Sequence, residues 1–480
     1  MSGMTDIPLV VDLDGTLIHA DTLHESALLL IRRDLFFALR LPFQLLKGKA
    51  AVKSAIAELI APDPSDLPYR QDLLTWLGTQ KAAGRKIILA TAADSRVARS
   101  VSSHLGIFDD VIASEDGLNL KGPAKRDALI ARFGLHGFDY VGDSMADAPV
   151  WAASRIAHLA GTMSGLPAAV AVGGAQQGIS FPSPRPSFAV VRRALRIHQW
   201  VKNLLVFVPS LLSHNADASS LLSLVGAALS FSLIASGTYV FNDLLDLEAD
   251  RRNPIKRRRP FASGQLSVLQ GILLAFGVIL LGFGLSLFIS PRLAICLCGY
   301  TALTLLYSSF LKNKPIIDVV ALAGLYTVRI YAGSLVTGVS ISHWLFQFSI
   351  FFFLSLAFVK RYSELLRLRE LRKQHAPGRG YRLRDLGIVS QAGVGSGLLA
   401  GLVLALYVNG VDVQRLYPNS EMLWGIVPLF IYWIIRVWLV AHRGNMDQDP
   451  ILFAFRDRVS YLVGILILGL AVVGSLGTAH

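Results

Sequence analysis

The sequence predicts a two-part protein: an α/β doubly wound N-terminal domain with a helical cap, followed by an all-α polytopic membrane domain of about nine transmembrane helices. Three observations carry this reading. Residues 1 to about 180 mix charges with short apolar runs, whereas most later segments are long, nearly uncharged and rich in Leu, Phe and Gly. Three short apolar runs in the first part each end in polar or acidic residues, as strands of an open parallel sheet do at a ligand crevice. Nine apolar stretches follow, most of them near the roughly 20 residues a spanning helix needs.

Composition sets the outer bounds. A hydrophobic content of 53% with 16% charged residues over 480 residues implies a membrane protein of more than one part. The formal net charge of +13 arises in a chain whose cytoplasmic loops should concentrate Lys and Arg for topological reasons, so no nucleic-acid partner is expected. Cys296 and Cys298 lie in an apolar stretch that suits neither a disulfide framework nor a metal site. The N-terminus, MSGMTDIPLVVDLDGT, lacks the pattern of a signal peptide, which places the first domain in the cytosol. The expected division is 1–172 for the first domain, 173–187 for a Gly-, Ser- and Pro-containing linker, and 188–480 for the membrane domain.

In the first domain, Pro8-Leu9-Val10-Val11 reads as a buried strand running into Asp12-Leu13-Asp14-Gly15-Thr16. Lys86 to Ala90 reads as a second strand ending at Thr91, and Asp139-Tyr140-Val141 as a third running into Gly142-Asp143-Ser144-Met145-Ala146-Asp147. Helical patterns between them predict a doubly wound core. Residues 18–84 hold a cap with helical patterns at Ala27 to Arg33 and Ala50 to Ile60. Its apolar groups Phe36-Phe37, Leu41-Pro42-Phe43 and Leu45-Leu46 serve either core packing or contact with a membrane surface.

This ordered set, DLDGT, a Thr after a strand, a Lys and GDSxxD, resembles haloacid dehalogenase-type phosphatases, and the cap resembles their phosphoserine-phosphatase-like branch. The resemblance implies Asp12 as nucleophile and Asp14 as the acid that protonates the leaving alcohol and later activates water. It implies Thr91 and Lys125, with Lys121 as the alternative lysine, around the phosphoryl oxygens. Asp143, supported by Asp147, would complete a Mg2+ site with Asp12 and the Asp14 carbonyl. The expected substrate is a small phosphorylated molecule.

The nine apolar stretches are 199–213, 221–241, 269–289, 292–310, 316–337, 343–359, 391–409, 422–441 and 459–477. The first is short, carries Lys202 and could lie partly in the interface. Basic residues cluster in alternate loops: Arg251 to Arg259, then Lys312 and Lys314, then Lys360 to Arg384, then Arg443, Arg456 and Arg458. This asymmetry fits a cytosolic N-terminal domain on a multi-pass protein of the inner or plasma membrane, and the odd span count places the C-terminus outside.

Asp243, Asp246 and Asp250, spaced i, i+3, i+7 after the second stretch, would share one helix face and repel each other unless a divalent cation bridges them. Asn242-Asp243-Leu244-Leu245-Asp246, with Asp250 and the run containing Arg257, is preceded by Gln199-Trp200-Val201-Lys202-Asn203. This NDxxDxxxDRxxNPxKxRRP pattern resembles the UbiA superfamily of intramembrane prenyltransferases, whose members bind a diphosphate through magnesium and aspartates. The resemblance implies a polyprenyl lipid substrate within the lipid bilayer.

One departure from that pattern matters. Where a second aspartate-rich motif is expected, the chain reads Phe358-Val359-Lys360-Arg361-Tyr362-Ser363-Glu364, with two cations in place of metal-binding acids. That resembles the phosphoribosyltransferase branch, with Lys202, Asn203, Tyr307, Lys312, Arg329, Lys360, Arg361, Tyr362 and Glu364 as substrate-binding candidates and Asp243 and Asp246 as catalytic ones. The expectation is phosphoribosyl transfer from phosphoribosyl diphosphate to a polyprenyl phosphate, with the first domain removing the product's 5-phosphate. The alternative is prenyl transfer to an aromatic or other acceptor beside an unrelated phosphatase.

Overall fold

The computed structural model describes residues 7–33, 55–56, 58–115, 119–162, 174–183, 185–213, 217–370, 380–410, 413–414, 417–446 and 449–476. The greasy segments at 36–46 and most of the second cap pattern fall outside the described residues. The chain forms two compact units, Met1–Leu195 with Tyr239–Ala275, and Arg196–Thr238 with Phe276–His480. Membership therefore cuts across the expected 1–172/188–480 division. The loop that carries the three aspartates groups with the α/β part.

The first unit is built on six parallel strands: β1 (Leu9–Val11), β2 (Ile87–Asp94), β3 (Asp110–Ser114), β4 (Asp139–Gly142), β5 (Ile156–Gly161) and β6 (Gln176–Pro182), in the order β3-β2-β1-β4-β5-β6. Between and beside them run α1 (Thr22–Arg33), α2 (Gln71–Ala82), α3 (Ser95–Leu105), α4 (Pro123–Phe133), α5 (Ala148–Ala153) and α6 (Phe188–Ala194). One sheet face buries Leu9, Val11, Leu73, Leu77, Leu89 and Val101, and the other buries Val10, Ile88, Leu129, Tyr140 and Trp151. Alternation along β1 thus feeds two cores, as helices on both faces of a parallel sheet require. β1 pairs with β2 on one side and β4 on the other, so the carboxyl end of β1 opens at the point where strand order reverses.

Three differences from the sequence reading have plain causes. β2 continues past Thr91 to Asp94 through a register irregularity, because ladder hydrogen bonds do not stop at the first polar side chain. The expected linker contains β6, paired in parallel with β5. Backbone pairing is indifferent to Gln, Ser and Gly side chains, and a strand at the sheet edge tolerates Pro182 at its end. Third, stretch 199–213 is not a membrane-length helix: it forms a 3-10 helix at Ile197–Phe207 and a short α7 at Val208–Leu212.

The remaining helices are α8 (Ala218–Leu245), α9 (Leu247–Arg252), α10 (Val268–Ile289), α11 (Pro291–Ser309), α12 (Ile317–Thr337), α13 (His343–Glu370), α14 (Leu386–Val408), α15 (Ile426–His442), α16 (Pro450–Ala454) and α17 (Arg458–Ser475). Among the described residues eight helices are long and apolar enough to cross a membrane, one fewer than the sequence reading counts. The core of the second unit joins Phe353, Leu356, Val359, Phe430, Val437 and Trp438. Phe288, Leu280, Ile295 and Ile465 instead present 65% or more of their surface outward, the pattern of helices whose solvent is lipid. The chain is an integral membrane protein.

Candidate functional site

In the first unit, the carboxyl ends of β1, β2 and β4 bring the predicted residues to one cleft of about 320 Å³, lined by Asp12, Asp14, Thr91, Lys125, Asp143 and Asp147 among others. Asp12 lies just past β1, where its carboxylate accepts the Leu13 N–H at 2.8 Å and pairs with Lys125 Nζ at 2.9 Å. Lys125 is 3% exposed, and its ammonium also donates to the Tyr140 hydroxyl at 2.9 Å and lies 3.7 Å from Asp147. Burial works against its charge, but Asp12 and Asp147 outweigh that and hold its pKa above the usual lysine value. Lys121, the alternative lysine, also lines the cleft.

Asp147 is buried in the wall of the cleft. It accepts the Tyr140 hydroxyl at 2.8 Å and the Asp143 and Ser144 N–H groups at 3.1 and 3.3 Å, which fixes the turn after β4. Among the described residues, Asp12, Asp143 and Asp147 form a group of three carboxylates whose oxygens fall within 4.8 Å of one another. An all-oxygen, all-anionic set suits a hard divalent cation. Burial first, then Asp147 and Asp12, raise the Asp143 carboxyl to about 7. Burial likewise raises Asp12 to about 6 against the pull of Lys125.

The Asp14 side chain stands apart from that group. It accepts the Thr22 N–H at 2.8 Å and the Thr22 hydroxyl at 3.3 Å at the start of α1, and burial followed by Asp21 raises it to about 7. Gly15 between them has φ +74, and a Cβ there would strike the Asp143 carboxylate, so only glycine fits this turn. Thr91 is buried and its hydroxyl accepts the Ala93 N–H at 3.0 Å.

Of the three aspartates of the 239–275 segment, Asp243 and Asp250 face the same side. α8 ends at Leu245 and α9 begins at Leu247, so the helix breaks at Asp246. Asp243 and Asp250 are buried and meet on one atom, Nη1 of Arg259, at 2.9 and 2.6 Å. A guanidinium thus bridges the carboxylates, and burial keeps the Asp250 carboxyl above its ordinary value despite Arg259 and Lys256. Asn242 and Asp246 are half-buried, while Arg257 is exposed on a 3-10 turn.

In the second unit Lys202, Arg329 and Arg361 are buried and each meets polar or charged partners, while Lys360 is half-buried. Arg329 is 4% exposed; it donates to Asn203 at 2.8 Å and to the Tyr300 hydroxyl at 3.0 Å, with its guanidinium against the Tyr300 and Tyr326 rings. Lys202 pairs with Asp449, and Lys202 and Lys360 together hold the Asp449 carboxyl below its usual range although burial works to raise it. Arg361 is 1% exposed and donates to Asp318 at 2.5 Å, Glu364 at 2.5 Å and the Tyr307 hydroxyl at 2.7 Å. Tyr381 donates to the other oxygen of Asp318 at 2.7 Å, and the Tyr362 hydroxyl meets His442 Nδ1 at 2.8 Å. Lys312 sits half-buried on the 3-10 turn Leu311–Asn313.

Sequence reasoning missed Asp318, Asp449, Arg259 and Tyr140. Asp318 carried a usable signal, an acid inside an apolar stretch. Asp449 is matched to Lys202 far away in the chain, Arg259 is merged into a run of like residues, and Tyr140 lies in a strand whose apolar reading hides its hydroxyl.

Residues 203–459, more than half of the chain, match the model of the UbiA prenyltransferase family. An uncharacterized protein y4nM of Sinorhizobium fredii is 39% identical over 96% of this chain and 90% of its own length. The nodulation protein NoeC of Azorhizobium caulinodans is 36% identical over 59% of this chain and 92% of that protein. A decaprenyl-phosphate phosphoribosyltransferase of Mycobacterium tuberculosis is 30% identical over 62% of this chain and 96% of that enzyme. On the strength of the family match and of that alignment over nearly the whole of the mycobacterial enzyme, the chain belongs to the UbiA prenyltransferase family.

Proposed function

We propose that the chain is a bifunctional membrane enzyme. The membrane part transfers a phosphoribosyl group from phosphoribosyl diphosphate to a polyprenyl phosphate, and the N-terminal domain, of the haloacid dehalogenase type, removes the 5-phosphate of the product. The observation that carries the first half is the set of cations Lys202, Arg329 and Arg361, all buried, with Lys360 half-buried, in a unit where the described residues show no acid group fit for a second metal. A multiply phosphorylated donor and a phosphorylated acceptor suit such a lining better than a purely allylic substrate. The name of the mycobacterial relative supports the same donor and acceptor classes.

In this transfer the bond from ribose C1 to the diphosphate oxygen breaks, the diphosphate leaves with the electron pair, and a lipid phosphate oxygen bonds to C1. Asp243, Asp246 and Asp250 are the residues that would hold magnesium, which when bound neutralises the departing diphosphate. Lys202 and Lys360 contribute positive charge to phosphate oxygens, while Asp318 and Glu364 keep Arg361 oriented.

In the first unit, Asp12 attacks phosphorus and the bond to the sugar oxygen breaks, with Asp14 giving that oxygen its proton. Water, yielding a proton to Asp14, then attacks the phosphoaspartate and inorganic phosphate leaves. Lys125 and Thr91 hold the phosphoryl oxygens, and the carboxylates of Asp12 and Asp143, steadied by Asp147, fit a magnesium ion.

Purified full-length protein in detergent with magnesium should transfer label from phosphoribosyl diphosphate to a polyprenyl phosphate and not from a prenyl diphosphate to an aromatic acceptor. Asp12→Asn should then accumulate lipid-linked phosphoribose. Transfer from prenyl diphosphate alone would favour an ordinary prenyltransferase, and unaltered formation of lipid-linked ribose by Asp12→Asn would end the coupled reading.

A further inference from the structure

The phosphomonoesterase cleft has a second chamber. A cavity of about 430 Å³ shares Gly15, His19, Asp143 and Ser267 with the cleft that holds Asp12 and Lys125, so the two spaces adjoin. One wall comes from the α/β sheet, through Thr162 and Ser183. The opposite wall comes from the segment that follows the aspartates, through Ser263, Gly264, Gln265, Ser267 and Gln270.

That segment is held in place by several independent contacts within the unit. Arg251 forms a two-pronged pair with Glu25 and donates to the Ala262 carbonyl at 3.1 Å. Arg193 donates to Gln265 at 2.9 Å, and Ser267 and Gln270 cap the start of α10 reciprocally, at 2.9 and 3.2 Å. Gly264, at φ +74, lies so close to His19 that a Cβ would overlap its side chain. Phe261, Ala262 and Leu266 anchor the segment in an apolar core with Leu244 and Leu247.

The chemistry of the chamber is specific. Its charged side chains are Arg70 and Asp143, and Arg70 is spent on structure, donating to the carbonyls of Thr16, Gly15 and Phe181 and to the Ser183 hydroxyl. Asp143 belongs to the carboxylate group with Asp12 and Asp147, and the rest of the lining is neutral hydroxyls and amides, of which the Ser263 hydroxyl also donates to the Arg259 carbonyl at 2.9 Å. A phosphorylated amino acid would leave its ammonium and carboxylate unmatched there, and a plain aliphatic alcohol would desolvate the polar wall. A polyhydroxylated sugar satisfies both sides.

We propose that this chamber binds the sugar of a sugar phosphate, and that Ser263 and Gln265, supplied by the segment after the transferase aspartates, are specificity residues of the phosphatase. The proposal rests on the phosphomonoesterase reading above and adds the place where the sugar is held and a wall encoded by the segment after the transferase aspartates.

The test compares full-length protein in detergent with magnesium chloride on three probes: acetyl phosphate, ribose 5-phosphate and farnesyl-phosphoryl ribose 5-phosphate. Gln265→Ala and the double variant Ser263→Ala/Gln265→Ala should lower the ratio of kcat/KM for a sugar probe to that for acetyl phosphate, about fivefold and about tenfold respectively. Using the ratio makes acetyl phosphate the internal control for folding. A fall on both sugar probes supports a lipid headgroup as the ligand, and a fall on ribose 5-phosphate alone supports a soluble sugar phosphate. An unmoved ratio on both, with hydrolysis still dependent on Asp12, overturns the chamber and leaves the phosphatase reading intact. If the wild type hydrolyses none of the probes and Asp12→Asn changes nothing, the phosphatase reading fails and the chamber with it.

Discussion

Arg251 grips Glu25 with both terminal nitrogens, Nη1 to Oε2 at 2.8 Å and Nη2 to Oε1 at 2.6 Å, with 7% and 4% of the side chains exposed. The pair ties α1, which begins beside Asp14, to the segment that carries the three aspartates. Replacing Glu25 with alanine would leave a buried guanidinium without its carboxylate, at a cost of about 3–5 kcal/mol. The unfolding midpoint of the full chain in detergent should fall accordingly, and Glu25→Ala/Arg251→Met should recover much of it. Equal losses in the single and double variants would show that the pair contributes no coupling.

Asp318 and Glu364 both hold Arg361 at 2.5 Å, yet they differ in environment, since the Asp318 side chain is fully buried and that of Glu364 is 31% exposed. Asp318→Asn should therefore destabilise the protein by about 3–5 kcal/mol, whereas Glu364→Gln should cost about 1 kcal/mol or less. Thermal unfolding of the two variants in the same detergent would decide it, and the reverse ranking would mean that solvent does not reach Glu364.

His158 reports on pH. Burial lowers its pKa to about 4, Nδ1 accepts the Ile179 N–H at 2.9 Å, and the group is therefore neutral in the folded state. Because the unfolded histidine takes up its proton near pH 6.5, stability from this residue is present above that value and drains away as pH falls toward 4. The loss is on the order of 2 kcal/mol between pH 7 and pH 5. The raised carboxyls of Asp12, Asp14 and Asp143 act in the opposite sense, so the comparison must be with His158→Gln. That variant should lose less stability than wild type from pH 7 to 5; parallel curves would rule out the histidine as the cause.

The cleft in the first unit was legible because its residues sit at strand ends within short motifs. Asp12, Asp14, Thr91 and Asp143 are placed by β1, β2 and β4, whose apolar runs announce themselves, and Lys125 by the helix between. Strands β3, β5 and β6 were not legible. β6 has a sequence of linker type, and only the free backbone edge of β5 makes it a strand. The 3.6-residue period put Asp243, Asp246 and Asp250 on one face, but it could not register the break at Asp246, or that Arg259 would reach both buried acids.

The sequence by itself determined the local quantities: which segments are apolar enough for lipid, which strand ends carry acids, and which cations lie in apolar stretches. These follow from residue type and spacing within about 20 residues. Tertiary structure alone decided the pairing of charges and the ownership of segments. It gave Arg361 to Asp318, Lys202 to Asp449, and residues 239–275 to the unit of the α/β sheet. The physical reason is that a buried charge must find a partner from whatever packing brings near, and that neighbour lies tens or hundreds of residues away in the chain.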